Sequence, residues 1–392
     1  MSSGIEAKAL LVSLEHRFYG ESLPFIDIAT PEKRKLLTSR QALEDAAALV
    51  RDLKKQYPHS GPVIVFGGSY PGSLAAWFRS KYPDLAWAAI ASSAPILAAV
   101  DLSEYLDVVD FALKDFGGEA CDTSIRAAIN QLQLRVNSSN HSMNYQTLQD
   151  MFTLCDKPIG WQDVASLFDD VVGEFMGVVQ YNDEEAESDT SPDIRDLCNI
   201  MEDPKLGTEL QRFIFLFNKY ELASDICFDS SFMTVIDWNR AKIWNLTGTK
   251  SRPQFLWQRC NEFGWFQSTD SPRQPFGSFV PLKYFLSMCQ DVFGVDGPPD
   301  VNSTNAFNGG KDISGSRILF VNGNIDPWST MSITESTNPD LPAIFINGTA
   351  HCADMTHAKP GDPPSLLQAQ IAIKKQLMQW IKEGYAAIGR LL

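Results

Sequence analysis

The pattern of hydrophobic and polar positions near the start of the chain alternates between short apolar runs and longer amphipathic segments. The apolar runs predict buried strands at 9–14, 62–66 and 86–92, and the amphipathic segments predict helices at 41–57 and 72–82. Strands that are apolar along their whole length and alternate with helices are typical of a parallel sheet covered on both faces. The first part of the chain is therefore predicted to be an α/β domain.

The pattern changes near residue 100 and changes back near residue 285. Between these points apolar residues recur at helical spacing, and the acidic run 183–189 predicts a solvated loop. Strand-like runs return at 316–322 and 342–347, and a helix is predicted at 365–383.

This organisation predicts two domains. We expect a discontinuous α/β domain formed by residues 1–100 and 285–392, interrupted by a mostly helical domain of residues 101–284. The length agrees, since 392 residues exceed the roughly 250–300 residues at which single cores stop growing.

Charge and hydropathy exclude two classes of partner. The net charge is −15 and no basic run is present, so nucleic acid is not an expected partner. The longest apolar stretch, 87–100, is interrupted by Ser92, Ser93 and Pro95 and falls short of the ~18 residues that a membrane span needs. No membrane span is predicted.

The cysteines and glycosylation sequons indicate a cellular route. None of the seven cysteines forms a C-x-x-C pair, so no metal site and no cofactor is predicted. Six lie within one segment, as in a disulfide-stapled region, and Cys352 stands apart. The cysteines of the segment are Cys121, Cys155, Cys198, Cys227, Cys260 and Cys289, and the N-x-S/T sequons are at Asn137, Asn140, Asn245, Asn302 and Asn347.

Together these features favour the secretory pathway, with a lysosomal or vacuolar destination or secretion. Residues 1–8 lack the apolar stretch of a signal peptide. We therefore expect this chain to be an incomplete version of a longer precursor.

A candidate nucleophile follows the second predicted strand, in the sequence 63–72, Val-Ile-Val-Phe-Gly-Gly-Ser-Tyr-Pro-Gly. A strand that ends in glycines and restarts as a helix forces a tight turn, and Ser69 lies at the tip of that turn. Tyr70 keeps its backbone N–H, the group that such a turn directs at a developing oxyanion. The competing interpretation is a glycine-rich turn with an incidental serine.

Two further candidates follow the last two predicted strands. Asp326 lies after strand 316–322, and His351 lies after strand 342–347. The carboxyl ends of parallel strands meet at one edge of a sheet, where functional residues collect. Taken singly, an aspartate before a proline is more often a turn former and a loop histidine is more often structural. His357, six residues beyond His351, is the main rival for the histidine.

The three residues occur in the order nucleophile, acid, base that hydrolases built on such a sheet show. Serine is a weak nucleophile, so an imidazole must remove its proton, and a carboxylate must orient the imidazole and stabilise its charged form. Ser69, Asp326 and His351 are therefore the predicted catalytic residues.

Several longer motifs resemble those of a known family. They are Glu15-His-Arg-Phe-Tyr-Gly-Glu-Ser-Leu-Pro24, Gly67-Gly-Ser-Tyr-Pro-Gly-Ser-Leu-Ala-Ala-Trp-Phe-Arg79, Ala91-Ser-Ser-Ala-Pro-Ile96 and Phe320-Val-Asn-Gly-Asn-Ile-Asp-Pro-Trp328. They are similar to motifs of the serine carboxypeptidase family that contains lysosomal prolyl carboxypeptidase, dipeptidyl peptidase II and thymus-specific serine protease. The resemblance runs from about residue 9 to the end. The segments 257–264 and 350–355 most resemble the thymus-specific branch.

The resemblance implies an α/β-hydrolase fold with a mostly parallel, doubly wound sheet and an inserted helical cap. It implies a serine-type exopeptidase that cleaves short peptides near a chain end, commonly after proline, without a cofactor. The family has a further N-terminal region, which supplies a second oxyanion donor, so that part of the hydrolase domain is expected to be missing. Self-association into a homodimer stays open.

Some residues take their roles from the same resemblance, and others from the chemistry of a pocket for proline and for a peptide end. The resemblance implies the disulfides Cys121–Cys198, Cys155–Cys227 and Cys260–Cys289, with Cys352 free. Trp328 occupies the position of a family pocket residue. Rigid aromatic walls suit a proline ring, and Tyr70 and Trp265 are further candidate walls. Glu262 is a candidate binder of a peptide ammonium group, which favours release of dipeptides from the amino end.

Two other hypotheses remain open at this point. A truncated, catalytically impaired isoform, or a non-catalytic binding protein on the same fold, would carry the same motifs. A lipase or esterase would share the fold, but the peptidase motifs disfavour it.

Overall fold

The computed structural model describes residues 8–136, 141–182, 192–222, 226–248, 252–336 and 338–389, with backbone only for residues 141–144 and 221–222. The predicted acidic loop at 183–189 and the sequons at Asn137 and Asn140 lie outside the described residues.

The helices and strands are given in chain order. The elements up to residue 101 are α1 (Pro31–Arg34), α2 (Ser39–Gln56), β1 (Ile64–Gly68), α3 (Tyr70–Lys81), β2 (Ala88–Ser92) and β3 (Ala99–Asp101). A helical stretch follows, comprising α4 (Glu104–Ala112), α5 (Glu119–Val136), α6 (His141–Phe152), α7 (Trp161–Gln180), α8 (Ile194–Glu202), α9 (Glu209–Phe217) and α10 (Phe232–Ile243). The remaining elements are α11 (Arg252–Gln258), β4 (Gly264–Phe266), α12 (Leu282–Phe293), α13 (Val301–Asn308), β5 (Ile318–Gly323), β6 (Ala343–Ile346) and α14 (Pro364–Ala387).

The chain divides into two compact units. The first comprises residues 1–99, 242–263 and 299–392, and the second comprises residues 100–241 and 264–298. Residues 285–298, which the sequence placed in the α/β domain, belong to the second unit, and the segment 242–263, which the sequence placed in the inserted domain, belongs to the first unit. The contacts of the segment 242–263 give the reason: Ile243 accepts a backbone hydrogen bond from Ile28, and Phe263 stacks on Trp77.

The first unit is built on a four-stranded sheet in the order β1-β2-β5-β6. All three strand pairs are parallel, so all four carboxyl ends lie at one edge. Both central strands are buried along their whole length, as the uninterrupted apolar runs predicted. This confirms the mixed α/β fold class with a parallel sheet.

Helices cover the sheet through their apolar faces. Helix α14 buries Leu377, Trp380 and Ile381 against Ile90 and Val321 of the central strands. Full burial of each such side chain stabilises the fold by roughly 1.5–3 kcal/mol. Helix α3 packs against β1 and β2. The packed helices therefore fix the sheet, which carries the loops at its carboxyl edge.

The predicted strand at 9–14 is wrong. Residues 9–14 form no strand, and the side chains of Leu10, Leu11 and Val12 are each more than half exposed. An apolar run has the propensity for a strand, but a strand also needs a neighbour to complete its hydrogen bonds. Among the described residues, no strand pairs with this segment.

The second unit is mainly helical and contains two disulfides with both partners inside it. Cys121 of α5 is bonded to Cys198 of α8, and Cys155 is bonded to Cys227. Aromatic side chains fill the spaces between the helices, for example Phe175 stacked on Phe213. Strands β3 and β4 form a separate two-stranded sheet.

The other cysteines also match the oxidation states expected of them. Cys260 and Cys289 are disulfide-bonded, and Cys352 is a free thiol. In the part of the chain that the structure describes, no helix is both long and apolar enough to cross a membrane.

Candidate active site

Ser69 lies in a strained turn between β1 and α3. Its backbone has φ 59° and ψ −136°, a conformation that residues other than glycine rarely adopt. Such a conformation costs of order 1–3 kcal/mol. Its N–H donates to the carbonyl of Ser92, at 2.9 Å, at the end of β2. Gly67 permits the turn, because a Cβ there would overlap the carbonyl oxygen of Pro71. The local sequence thus permits a strained turn that presents Ser69 at the carboxyl edge of the sheet.

Tyr70 is the first residue of α3. Its N–H is one of the first four of the helix, which have no acceptor inside the helix. Pro71 at the second helical position lacks an N–H that would have had no intrahelical partner either, so the departure from a G-x-S-x-G spacing costs little. The position suits the role of an oxyanion donor.

Asp326 follows β5 and is completely buried. One carboxylate oxygen, Oδ1, accepts the N–H of Trp328 at 3.0 Å and contacts Nδ1 of His351 at 2.9 Å. The other oxygen, Oδ2, accepts no hydrogen bond from the described residues. The two contacts of Oδ1 hold the carboxylate in place against the imidazole ring.

His351 follows β6 and is only 5% exposed. Burial acts against the charged imidazolium, but the charge and hydrogen bond of the Asp326 carboxylate, together with Cys352, outweigh burial and raise the pKa of His351 above its ordinary value. The bond from Nδ1 selects the Nδ1–H tautomer when the ring is neutral and leaves Nε2 as the basic nitrogen. The rival, His357, is exposed, and the structure pairs Asp326 with His351.

The loop that carries His351 lies against the turn that carries Ser69. A Cβ on Gly68 would lie 3.0 Å from Sγ of Cys352, the residue after His351. Gly68, which precedes the candidate nucleophile, thus lies against Cys352, which follows the candidate base.

Two aromatic side chains predicted as pocket walls are in the first unit. Trp328 is 6.3 Å from His351 between ring centroids and is mostly buried. Tyr70 packs against Phe263 at 5.3 Å between ring centroids. The third predicted wall, Trp265, belongs to the second unit, where it is completely buried in β4. A fully buried side chain offers no surface to a substrate, so Trp265 is better explained as core.

Glu262 has a different contact from the one predicted. Its carboxylate accepts the N–H of Ser39, at 2.9 Å, and the hydroxyl of the same residue, also at 2.9 Å. Ser39 is the first residue of α2, where unpaired N–H groups and the helix dipole favour an anion. Glu262 therefore stabilises a helix start inside the protein, and the hypothesis that it binds a peptide ammonium is no longer favoured.

Sequence reasoning missed a buried polar group around the Tyr70 side chain. The Tyr70 hydroxyl accepts a hydrogen bond from Nε2 of Gln258 at 2.9 Å and lies 3.1 Å from Nε2 of His16. Tyr19 donates to Gln258 at 2.5 Å. Burial lowers the pKa of His16, so the ring favours its neutral form. The only sequence signal was the Glu15-His16-Arg17 motif.

The described residues contain no group of three His, Cys, Asp or Glu side chains arranged to hold a metal ion.

Glu262 leads to a prediction about stability and pH. Burial raises the pKa of Glu262 from 4.5 to about 7, so the folded state disfavours the carboxylate relative to the unfolded chain. Its contribution to the free energy of unfolding is complete below about pH 4.5 and declines as the pH rises to about 7. We expect a decline of about 2 kcal/mol, which allows for partial solvent contact.

Urea unfolding of the wild type and Glu262→Gln at pH 4.5 and pH 7.5 measures this decline. Between pH 4.5 and pH 7.5 the free energy of unfolding of the wild type should fall by about 2 kcal/mol more than that of the variant, because glutamine does not titrate. Equal pH dependence of the two proteins would refute the prediction.

Comparisons with known proteins identify the family to which the chain belongs. A family model described as serine carboxypeptidase S28 matches residues 3–373. The chain is 33% identical over 392 residues to human thymus-specific serine protease, covering 95% of this chain and 74% of that protein. It is 32% identical over 410 residues to human lysosomal Pro-X carboxypeptidase, covering 98% of this chain and 77% of that protein.

Proposed function

Because the chain belongs to the serine carboxypeptidase S28 family and is a serine peptidase, we propose that Ser69, His351 and Asp326 form its catalytic triad. The observation that carries the proposal is the 2.9 Å contact between Nδ1 of His351 and Oδ1 of Asp326, made by two buried side chains at the carboxyl edge of the sheet. The strained turn at Ser69 and the contact between its neighbours and the His351 loop support it.

The proposed reaction is acyl transfer. The Ser69 hydroxyl attacks the scissile carbonyl while Nε2 of His351 takes its proton, and Asp326 stabilises the imidazolium that forms. The Tyr70 N–H stabilises the oxyanion of the tetrahedral intermediate. His351 then protonates the leaving amine, and the C–N bond breaks to leave an acyl-enzyme. Water, deprotonated by His351, hydrolyses the acyl-enzyme and regenerates Ser69.

We further propose that substrates are short peptides with proline on the acyl side of the scissile bond. Trp328, beside His351, and Tyr70, beside Ser69, are rigid aromatic side chains that can contact a proline ring with little loss of entropy. The name of the lysosomal Pro-X carboxypeptidase relative supports this choice.

A lysosomal or secretory route is proposed on three grounds. One relative is named as lysosomal, the structure contains disulfides, and the three sequons within the described residues, Asn245, Asn302 and Asn347, are exposed. Disulfides persist in oxidising compartments, and N-glycosylation needs an accessible asparagine.

Two pairs of substrates test the specificity. One pair is Lys-Pro-reporter and Lys-Ala-reporter, and the other is an N-blocked peptide ending in Pro-Phe and its Ala-Phe counterpart. We expect the proline member of the cleaved pair to have at least ~10-fold higher kcat/KM, because a ring that fills an apolar pocket is worth roughly 1–3 kcal/mol. The pair that is cleaved identifies the chain end that enters the site.

Trp328→Ala should remove most of this preference, and Trp244→Ala, which changes a side chain that is 66% exposed, should not. Equal cleavage of proline and alanine substrates by the wild type would refute the proline pocket and leave the triad intact.

A further inference from the structure

Asp354 lies three residues after His351, in the short 3₁₀ turn Ala353–Met355. Its Oδ1 accepts a hydrogen bond at 2.5 Å from the hydroxyl of Ser92, the last residue of β2. Ser92 is 1% exposed and Asp354 is half-buried, so the bond lies largely inside the protein. It joins the loop of the candidate base to a central strand of the sheet.

Ser92 also holds the candidate nucleophile. Its carbonyl oxygen accepts the N–H of Ser69 at 2.9 Å. One residue of β2 therefore contacts both sides of the site, the Ser69 turn through its backbone and the His351 loop through its side chain. In the sheet order, β2 separates β1, which precedes Ser69, from the strands that precede Asp326 and His351.

A second hydrogen bond runs parallel to the first. The N–H of Cys352 donates to Oγ of Ser93 at 2.8 Å. Two adjacent serines of β2 and its extension thus hold two residues of the loop that follows His351.

Backbone strain explains why these bonds are needed. Ser69, Ser93 and Cys352 all have positive φ, at 59°, 45° and 57°. Each such residue is strained and persists only where surrounding contacts fix it. Each of the three takes part in one of these hydrogen bonds: Ser69 donates to Ser92, and Cys352 donates to Ser93. The bonds therefore hold the Ser69 turn and the His351 loop in conformations that are unfavourable on their own.

We propose that Asp354 and Ser92 are a positioning pair that sets the imidazole of His351 at the correct distance from the hydroxyl of Ser69. Neither residue touches the substrate. The proposal rests on the triad described under the proposed function. The pKa of Asp354 is raised to about 6, mainly by burial and further by the Asp326 charge, against the lowering effects of the Ser92 hydroxyl and His351. The carboxylate therefore lies close enough to the triad to interact with it.

The test compares Asp354→Ala, Asp354→Asn and Ser92→Ala with the wild type. The readouts are kcat and KM for the better of the two proline substrates, and the rate at which a fluorophosphonate labels Ser69. We expect Asp354→Ala and Ser92→Ala to lower kcat and the labelling rate by ~10–100-fold with KM changed less than about twofold, since small misplacements of a catalytic group cost that much.

Asp354→Asn should recover most of the rate, because its amide oxygen can still accept the Ser92 hydroxyl. Asp362→Ala is the matched control, since Asp362 is on the same loop and accepts the N–H of Lys359. It should behave as the wild type. Circular dichroism and thermal unfolding establish the folded fraction of each variant, and rates are compared per folded molecule.

If Asp354→Ala and Ser92→Ala both keep wild-type kcat and labelling rates, the pair has no positioning role. The same conclusion follows if asparagine is as damaging as alanine, or if KM rises as much as kcat falls. Should Asp354→Ala fail to fold, Ser92→Ala decides by the same criteria. Absence of Ser69 labelling in the wild type would instead refute the triad, which separates the two failures.

Discussion

Replacing Asp326 with asparagine should lower kcat for peptide hydrolysis by ~10⁴-fold while the fold is retained. The amide has nearly the same shape, but it carries no charge to stabilise the imidazolium, and its NH₂ group favours the wrong tautomer of His351. Because the carboxylate is what raises the pKa of His351, its loss should also move the acid limb of the kcat/KM profile to lower pH.

Steady-state kinetics from pH 4 to 9 measure both effects. Asp340→Asn is the control, because Asp340 is an exposed carboxylate on the connection between β5 and β6. A kcat for Asp326→Asn within about tenfold of the wild type would show that Asp326 does not orient the base.

Gly323→Ala should lower the free energy of unfolding by at least about 3 kcal/mol and the activity per folded molecule by ~100-fold. Gly323 is the last residue of β5, and a Cβ there would overlap the carbonyl oxygen of Thr349 and lie 2.8 Å from that of Ala350. These two residues immediately precede His351, and their backbone cannot move aside without moving the imidazole away from Asp326.

Gly173→Ala is the matched control, since a Cβ there meets nothing within 4 Å in the middle of α7. It should stabilise the protein by about 0.5–1 kcal/mol. Urea unfolding and steady-state kinetics of both variants make the comparison. If Gly323→Ala is as stable and as active as the wild type, the His351 loop does not approach β5 as closely as described.

The sheet and its covering helices were predictable from the sequence because their pattern is local. The runs at 62–66, 86–92, 316–322 and 342–347 correspond to the four strands of the sheet within about two residues at each end. Continuous apolar runs indicated strands buried on both faces, and the parallel order followed from the alternation with helices. The placement of Ser69, Asp326 and His351 in the segments after β1, β5 and β6 was predictable for the same reason, and their role as a triad stays a proposal.

What failed depends on contacts between distant residues. The run at 9–14 has the composition of a strand but no strand beside it among the described residues. Glu262 accepts from Ser39, 223 residues earlier in the chain, and no local pattern reveals that partner. Asp354 and Ser92 were present in quoted motifs, but their pairing appears only when the loop after His351 is brought against the end of β2.

Labelling with a biotinylated fluorophosphonate, followed by mass spectrometry of the modified peptide, tests the proposed triad most directly. The reagent forms a covalent adduct only with a serine whose hydroxyl is activated by a neighbouring base. The triad predicts an adduct on Ser69 in the wild type that is absent in Ser69→Ala and His351→Ala and is retained in His357→Ala. An adduct that persists in His351→Ala and is lost in His357→Ala, or no adduct on Ser69 of the folded wild type, would contradict it.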